Sequence, residues 1–298
     1  MKTAGPRPIF VLGAARTGTT LLQRLLNSYD DVLVWGEHAG FLEHVARAFY
    51  RAWDDPSFFK DVAPLAEILA GSRPEETWQG WMTWTSREDW LRTFRGLLDA
   101  LFVPAGLPGK RWWGFKEIRY MATRADRTLD FLHALYPDAL FAFIVRHPLN
   151  AIASVRRIPE GAHRLDELER LCAGWESRYR SYRAWHAADP SRRFWIVYED
   201  LIREEGDVRR LVATLGHELG EPQRAVLRSG EGRWSSFSDE AVNERWRGLP
   251  AAWLAVIAAT LGPLCADLGY ELPPSARLYG LAGRPLVRAL RLRDGLRP

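Results

Sequence analysis

A strand, a tight turn and the start of a helix follow one another near the beginning of the chain. Residues 8–22 read PIFVLGAARTGTTLL: an apolar run, a turn bounded by Gly13 and Gly18, and leucines at helical spacing. The turn has the frame of a phosphate-binding loop, G-x-x-x-x-G-K-[ST], except that Thr19 replaces the lysine that reaches the β- and γ-phosphates of a nucleoside triphosphate. The turn therefore predicts backbone N–H groups that bind phosphate at a helix N-terminus, on a nucleotide that ends differently from a triphosphate.

Apolar runs alternate with helical patterns along the chain. Runs typical of strands buried on both faces occupy residues 9–12, 112–115, 140–145 and 194–197. Helical patterns follow the loop and recur at about 65–69, 88–102, 124–135 and 165–186. This alternation predicts an α/β fold with a mainly parallel sheet flanked by helices. Ligands of such sheets bind at the carboxyl ends of the strands, and each candidate site below follows a strand.

The 298 residues predict a single domain over 1–298 with one long insertion. Residues 35–108 separate the first two predicted strands, and we expect a helical cap over the substrate at about 40–108. Five tryptophans fall in this stretch: Trp53, Trp78, Trp81, Trp84 and Trp90. They either pack a helical subdomain or line an acceptor pocket with aromatic faces, and the two roles are compatible.

The positive charge is concentrated at one end of the chain. Residues 274–298 hold six arginines and one acid, so this basic tail accounts for the net charge of +4. The nearly neutral remainder argues against a nucleic-acid-binding surface. The tail is either solvated or makes weak contact with anionic lipid, RNA or an acidic partner.

Cysteine usage and hydropathy indicate the compartment. Cys172 and Cys265 are far apart and have no metal-ligand spacing, so no disulfide framework is predicted. The first residues lack an apolar stretch of signal-peptide length, and no run approaches the roughly 18 apolar residues of a membrane span. We therefore expect a cytoplasmic protein without a transmembrane segment.

A second anion site is predicted where the third strand ends. Residues 140–154 read LFAFIVRHPLNAIAS, so the strand ends in Arg146 rather than in the acid with which a nucleotide hydrolase binds magnesium. Pro148 stops the strand, and Asn150 is the predicted cap of the next helix. Ser154 then lies about one turn inside that helix, facing the same ligand as the arginine. An arginine with a hydroxyl suits a dianionic phosphate.

These two segments resemble motifs of the sulfotransferases that use 3′-phosphoadenosine 5′-phosphosulfate. The loop resembles their 5′-phosphosulfate motif, R-S-G-T-T-L, with a threonine in place of the serine. The resemblance implies donor contacts from Ala15, Arg16, Thr17, Gly18, Thr19 and Thr20. The segment from Arg146 to Ser154 is similar to the 3′-phosphate motif, an arginine followed eight residues later by a serine.

A third likeness extends the resemblance over most of the chain. Residues 196–201, IVYEDL, are similar to a late strand of the family, Y-E-[DQ]-L, and weaker likenesses occur near 233–234 and 268–270. The resemblance implies that Tyr198 contacts the adenine and that Arg233 and Trp234 belong to a loop that closes over the nucleotide. The product would be 3′,5′-adenosine bisphosphate, and no metal would be required.

The resemblance also implies catalytic residues. Arg16 and the loop N–H groups would stabilise negative charge on the leaving oxygen. Lys116 resembles the family's lysine that contacts the same oxygen, although it could instead pair with Glu117 or with solvent. The acceptor hydroxyl needs a base. Glu37 matches the base of the protein-tyrosine sulfotransferase branch and His38 the base of other branches, and a one-residue shift decides between them.

Three functions stay open at this point. The first is sulfuryl transfer by in-line displacement to the hydroxyl of a small molecule, a sugar or a peptide, with a slight preference for a phenol or peptide tyrosine. The second is a magnesium-dependent small-molecule kinase or nucleotide hydrolase on the same fold, against which Thr19 and Arg146 argue. The third is a nucleotide sensor without turnover, which the candidate bases beside the loop argue against.

Overall fold

The computed structural model describes residues 5–55, 86–120, 125–157, 162–228, 245–276 and 289. The strands in these ranges are β1 (Arg7–Gly13), β2 (Val32–Trp35), β3 (Trp112–Glu117), β4 (Leu140–Val145) and β5 (Arg193–Val197). The α-helices are α1 (Thr19–Leu26), α2 (Phe41–Trp53), α3 (Arg87–Phe102), α4 (Ala125–Leu135), α5 (Pro148–Val155), α6 (Leu165–Ala188), α7 (Tyr198–Arg203), α8 (Asp207–Thr214), α9 (Glu221–Arg228) and α10 (Ala251–Asp267). Short 3₁₀ turns lie at Pro104–Gly106 and Arg245–Gly248.

The five strands form one sheet in the order β2-β3-β1-β4-β5, and every pair is parallel. Side chains alternate between the two faces of the sheet. Phe10 and Leu12 of β1 pack with α2, α3, α4, α5, α6 and α10, whereas Ile9 and Val11 pack with α1, α7, α8 and α9. Both faces are therefore covered, which confirms the predicted α/β fold and explains the continuous apolar runs.

The structure confirms the four predicted strands and the helices near 88–102, 124–135 and 165–186. It adds β2, which the sequence analysis missed because this edge strand has only four residues, VLVW. The capping prediction for Asn150 is wrong: His147 caps α5, and its Nδ1 accepts from Leu149 N at 3.3 Å. Pro148 takes the first helical position, where its missing N–H and fixed φ favour a helix start.

The predicted cap is described only at its two ends. Helices α2 and α3 occupy those ends, and the helical pattern at 65–69 lies outside the described residues. Trp53 and Trp90 both stack on Phe49, with ring centroids 5.0 and 6.4 Å away, so these two tryptophans pack the cap helices. Trp78, Trp81 and Trp84 lie outside the described residues, as does nearly all of the basic tail. No helix within the described ranges is long and apolar enough to cross a membrane.

Candidate active site

The candidate residues that the structure describes meet at the carboxyl edge of the sheet. Because all strands are parallel, the segments after β1, β2, β3, β4 and β5 lie at the same edge. Leu12 pairs with Glu117 across β1 and β3, and Val145 pairs with Val197 across β4 and β5. This register places the loop after β1 between the residues that follow β3 and those that follow β4.

The loop after β1 presents the open N-terminus of α1. Arg16 has φ 66° and Gly18 has φ 100°, both in the left-handed region. Gly18 is the N-cap of α1, no side chain caps it, and the first turn carries no acidic residue. The first N–H groups of a helix have no acceptor within the helix and attract anions. The backbone at Thr19 and Thr20 can therefore donate to a phosphate, as the loop motif predicts.

Tyr198 packs between this loop and the end of β4. A Cβ at Gly18 would lie 2.4 Å from Cδ2 of Tyr198, so only glycine permits this close approach. The Arg146 guanidinium lies 4.3 Å from the centroid of the same ring. Tyr198 is only 3% exposed, and it thus holds Arg146 close to the loop. Its predicted contact with an adenine stays a prediction.

A hydrogen bond joins the two predicted anion sites. Arg16 Nε donates to Ser154 Oγ at 2.9 Å, although the residues are 138 positions apart. Ser154 lies in the last turn of α5, and both Ser154 and Arg146 are buried. The loop and the arginine–serine pair therefore form one continuous polar site. A buried cation attracts an anion strongly because little water screens it.

Lys116 pairs with Glu37. The two partners that the sequence analysis offers for it, Glu117 and solvent, are not the ones that its ammonium group contacts. Its Nζ lies 2.5 Å from Glu37 Oε1 and 3.4 Å from Thr20 Oγ1. Arg119 NH2 lies 3.4 Å from the other carboxylate oxygen, Oε2. Glu37 therefore has a cation on each side, and Lys116 reaches the start of α1. This geometry brings the predicted lysine and one of the two predicted bases together.

His38 and Glu117 form a separate, buried unit behind that pair. Glu117 is fully buried, and its carboxylate accepts hydrogen bonds from backbone N–H groups of the loop after β2 and of the segment after β3. Oε2 binds those of His38 and Gly40, at 3.1 and 2.8 Å, and Oε1 those of Ile118 and Arg119, at 2.8 and 2.9 Å. His38 Nδ1 lies 3.2 Å from Oε2. Glu117 thus fastens the loop that carries Glu37 to the end of β3.

The His38 ring is poorly placed to contact the hydroxyl of an acceptor substrate. Its side chain is 9% exposed, against 23% for Glu37, and its Nε2 lies 3.1 Å from Tyr120 Oη. Burial lowers the pKa of His38 below its ordinary value, although the charge of Glu117 opposes this shift. Glu37, rather than His38, therefore faces Lys116 and the loop.

Tyr179 is a site residue that the sequence analysis missed. Its hydroxyl donates to Ile144 O at 2.7 Å and accepts from Ala14 N at 3.1 Å, so it fastens the loop to β4. Burial raises the pKa of Tyr179 to about 12, which keeps the hydroxyl protonated. It lies within α6, 165 residues from Ala14, and no local pattern indicates the contact.

Glu199, within the segment IVYEDL, is another site residue to which the sequence analysis assigns no role. Its Oε1 accepts from His147 N at 3.2 Å and its Oε2 from Tyr270 Oη at 2.9 Å. It therefore supports the turn that follows Arg146. The predicted Arg233 and Trp234 lie outside the described residues. Across the described part of the chain, no group of three or more His, Cys, Asp or Glu side chains is arranged to hold a metal ion.

Comparisons with known proteins show which family and which fold this chain is similar to. The sulfotransferase family model matches residues 8–221. The sulfotransferase domain from the Synechococcus PCC 7002 olefin synthase is 20% identical with a TM-score of 0.55, over 92% of this chain and 98% of that domain. The sulfotransferase domain from the curacin biosynthetic pathway is 16% identical with a TM-score of 0.52, over 91% of this chain and 100% of that domain.

The comparison with curated protein sequences gives no match. At these identities the two solved structures show a shared fold. The family match spans more than half of the 298 residues and includes the loop, Lys116 and Arg146. The protein is therefore a member of the sulfotransferase family.

Proposed function

We propose that this protein transfers the sulfuryl group of 3′-phosphoadenosine 5′-phosphosulfate to an acceptor hydroxyl by in-line displacement, within a single domain over residues 1–298. The observation that carries the proposal is the hydrogen bond between Arg16 and Ser154. It joins a loop suited to one phosphate group to an arginine–serine pair suited to a second. A donor with anionic groups at both ends of an adenosine matches such a site.

The residues present fit this donor. The open N-terminus of α1, with Arg16, offers N–H donors and positive charge for the 5′-phosphosulfate. Arg146 and Ser154 are buried polar groups that would hold the 3′-phosphate. When bound, the donor supplies the sulfuryl group and a bisphosphate leaving group. Both cysteines are free and buried, which is compatible with the expected cytoplasmic location.

Glu37 is the proposed general base. Its carboxylate lies beside the cation that we assign to the leaving oxygen, so base and electrostatic stabiliser share one corner of the site. Glu37 accepts the proton of the acceptor hydroxyl as the acceptor oxygen forms its bond to sulfur. Lys116, Arg16 and the loop N–H groups then stabilise the negative charge left on the oxygen whose bond to sulfur breaks.

Sulfate transfer and bisphosphate binding test this proposal. The purified protein is given sulfur-labelled donor and a panel of alcohols, phenols, sugars and tyrosine peptides, with EDTA or with magnesium. We expect transfer that EDTA does not abolish, and binding of 3′,5′-adenosine bisphosphate in EDTA. Phosphoryl transfer or triphosphate hydrolysis that requires magnesium would instead support the kinase or hydrolase alternative. A protein that binds no bisphosphate contradicts the proposal.

A further inference from the structure

A cavity of about 270 Å³ adjoins the candidate active site between the phosphate loop and two helices. Ala14 and Ala15 of the loop form one wall, and Ile118, just after β3, lies beside them. Helices α5 and α6 form the opposite side with aliphatic side chains, one indole and one arginine. These residues are Ala151, Ile152, Val155, Leu171, Trp175 and Arg178.

The cavity borders the groups assigned to the reaction. Ala15 directly precedes Arg16, and Ile118 follows Lys116 by two residues. Arg119 also lines the cavity and lies 3.4 Å from the carboxylate of Glu37. A molecule in this cavity would therefore have its end at the loop close to the proposed base. Most of the aliphatic part of the wall comes from α5 and α6.

The lining indicates the kind of molecule that fits. Seven of the ten described lining residues are alanine, isoleucine, valine or leucine, so most hydroxyls of a sugar would lose their water partners without replacement. The indole N–H of Trp175 is buried and has no acceptor among the described residues, so it can donate to one oxygen of a bound molecule. The two arginines of the wall already have partners: Arg119 lies beside the Glu37 carboxylate, and Arg178 Nε donates to Tyr120 O at 2.9 Å. An apolar body gains by leaving water, roughly in proportion to the area that it buries.

The volume limits the size of that body. At about 30 Å³ per water-sized group, the cavity has room for about nine non-hydrogen atoms. We propose, on the basis of the function proposed above, that this cavity holds the apolar body of the acceptor. The substrates are then small apolar alcohols whose hydroxyl stays at the loop, next to Glu37, and not sugars or peptide tyrosines.

The preference of the protein for alcohols of different carbon-chain length tests the proposal. Labelled sulfate transfer is measured with straight-chain primary alcohols of two to fourteen carbons, a methyl glucoside and a tyrosine peptide. We expect kcat/KM to rise with chain length to about nine carbons and then to stop rising. The glucoside and the peptide should be at least ten-fold poorer than the best alcohol. Equal or better transfer to either of them overturns the proposal.

Two variants should shift the alcohol chain length with the highest kcat/KM in opposite directions. Ile118→Ala enlarges the cavity and should shift the best alcohol to a longer chain, whereas Ala151→Leu fills it and should favour a shorter one. Ile202→Ala is the matched control, because Ile202 is also a half-buried isoleucine but packs on the opposite face of the sheet. An unchanged optimum in a folded Ile118→Ala protein overturns the assignment of the cavity.

Binding of an unreactive analogue provides a readout that does not depend on turnover. Calorimetry with nonyl methyl ether, in the presence of 3′,5′-adenosine bisphosphate, should show binding with a negative heat-capacity change, weakened several-fold by Ala151→Leu. No binding of the ether to a protein that binds the bisphosphate overturns this inference and leaves the proposed function standing. A protein that binds no bisphosphate and transfers no sulfate overturns the proposed function itself.

Discussion

Lys116 and Glu37, 79 residues apart in the chain, form an ion pair in which Nζ lies 2.5 Å from Oε1. Both side chains are largely shielded, at 8% and 23% exposure. The end of β3 presents the lysine, and the loop after β2 presents the glutamate. The pair therefore couples two candidate catalytic groups. Removing Glu37 takes the carboxylate away from the largely buried Lys116, whereas removing Lys116 leaves Glu37 with Arg119 as its cation.

Replacing Glu37 should separate catalysis from binding. Glu37→Gln keeps the shape of the side chain but removes the base, so we expect kcat to fall by about 10²–10⁴-fold. Affinity for 3′,5′-adenosine bisphosphate should stay within about three-fold, which calorimetry can measure. Glu88→Gln, at a highly exposed carboxylate of α3, is the matched control and should retain full turnover. Retained turnover in Glu37→Gln and in His38→Asn would contradict the assignment of the acceptor side.

Removing the hydroxyl that Arg16 contacts should weaken donor binding. Ser154→Ala deletes an acceptor for the guanidinium and a proposed phosphate ligand. A hydrogen bond to a charged group contributes roughly 1.5–3 kcal/mol, so the Kd for the bisphosphate should rise about ten- to a hundred-fold. Ser191→Ala, at an exposed serine whose hydroxyl donates to Asp189 Oδ1, is the control. An unchanged Kd would show that Ser154 does not touch the nucleotide.

His38 should make the fold sensitive to mild acid. Burial lowers its pKa in the folded protein below the unfolded value of about 6.5, so the unfolded chain binds the proton first as the pH falls. The stability that neutral His38 contributes is therefore fully present above about pH 6.5 and is lost as the pH drops below it. Thermal unfolding between pH 7.5 and 5 should show a shallower loss of Tm in His38→Asn than in the parent. Parallel Tm curves would refute this role.

Gly18 and Tyr198 should show strong coupling in a double-mutant cycle. Gly18→Ala places a Cβ 2.4 Å from the ring and also puts a side chain at φ 100°. We expect it to reduce the free energy of unfolding by more than the roughly 1–2 kcal/mol of the left-handed backbone alone. In a Tyr198→Leu background the same change should cost less, as measured by urea denaturation. Additive effects would mean that the loop moves away from the ring without cost.

Some of the site could be predicted from neighbouring residues alone. The loop at 13–20 and the strand end at Arg146 depend on glycine positions, an apolar run and a proline, which act over a few residues. The structure confirms both elements and their meeting at one sheet edge. The short edge strand β2 was missed because four residues give too weak a pattern.

The contacts between distant residues could not be predicted in this way. Tyr179 lies in a helix where its aromatic ring reads as ordinary core, yet its hydroxyl joins Ala14 to Ile144. Glu117 follows Lys116 directly, but the side chains of consecutive strand residues point to opposite faces of the sheet. Lys116 therefore pairs with Glu37 instead of its neighbour. Only the packed fold shows which partner each charge acquires.

The sequence by itself determined the α/β class, the glycine-bounded turn after β1 and the arginine that follows β4, because each depends on short-range backbone preferences and on the period of apolar residues. The tertiary structure decided that Glu37 faces Lys116 while His38 is buried against Glu117, and it produced the apolar cavity between the loop and helices α5 and α6. Those outcomes depend on how separate elements dock, since the burial and the charge partners of a side chain are set by residues far away in the chain.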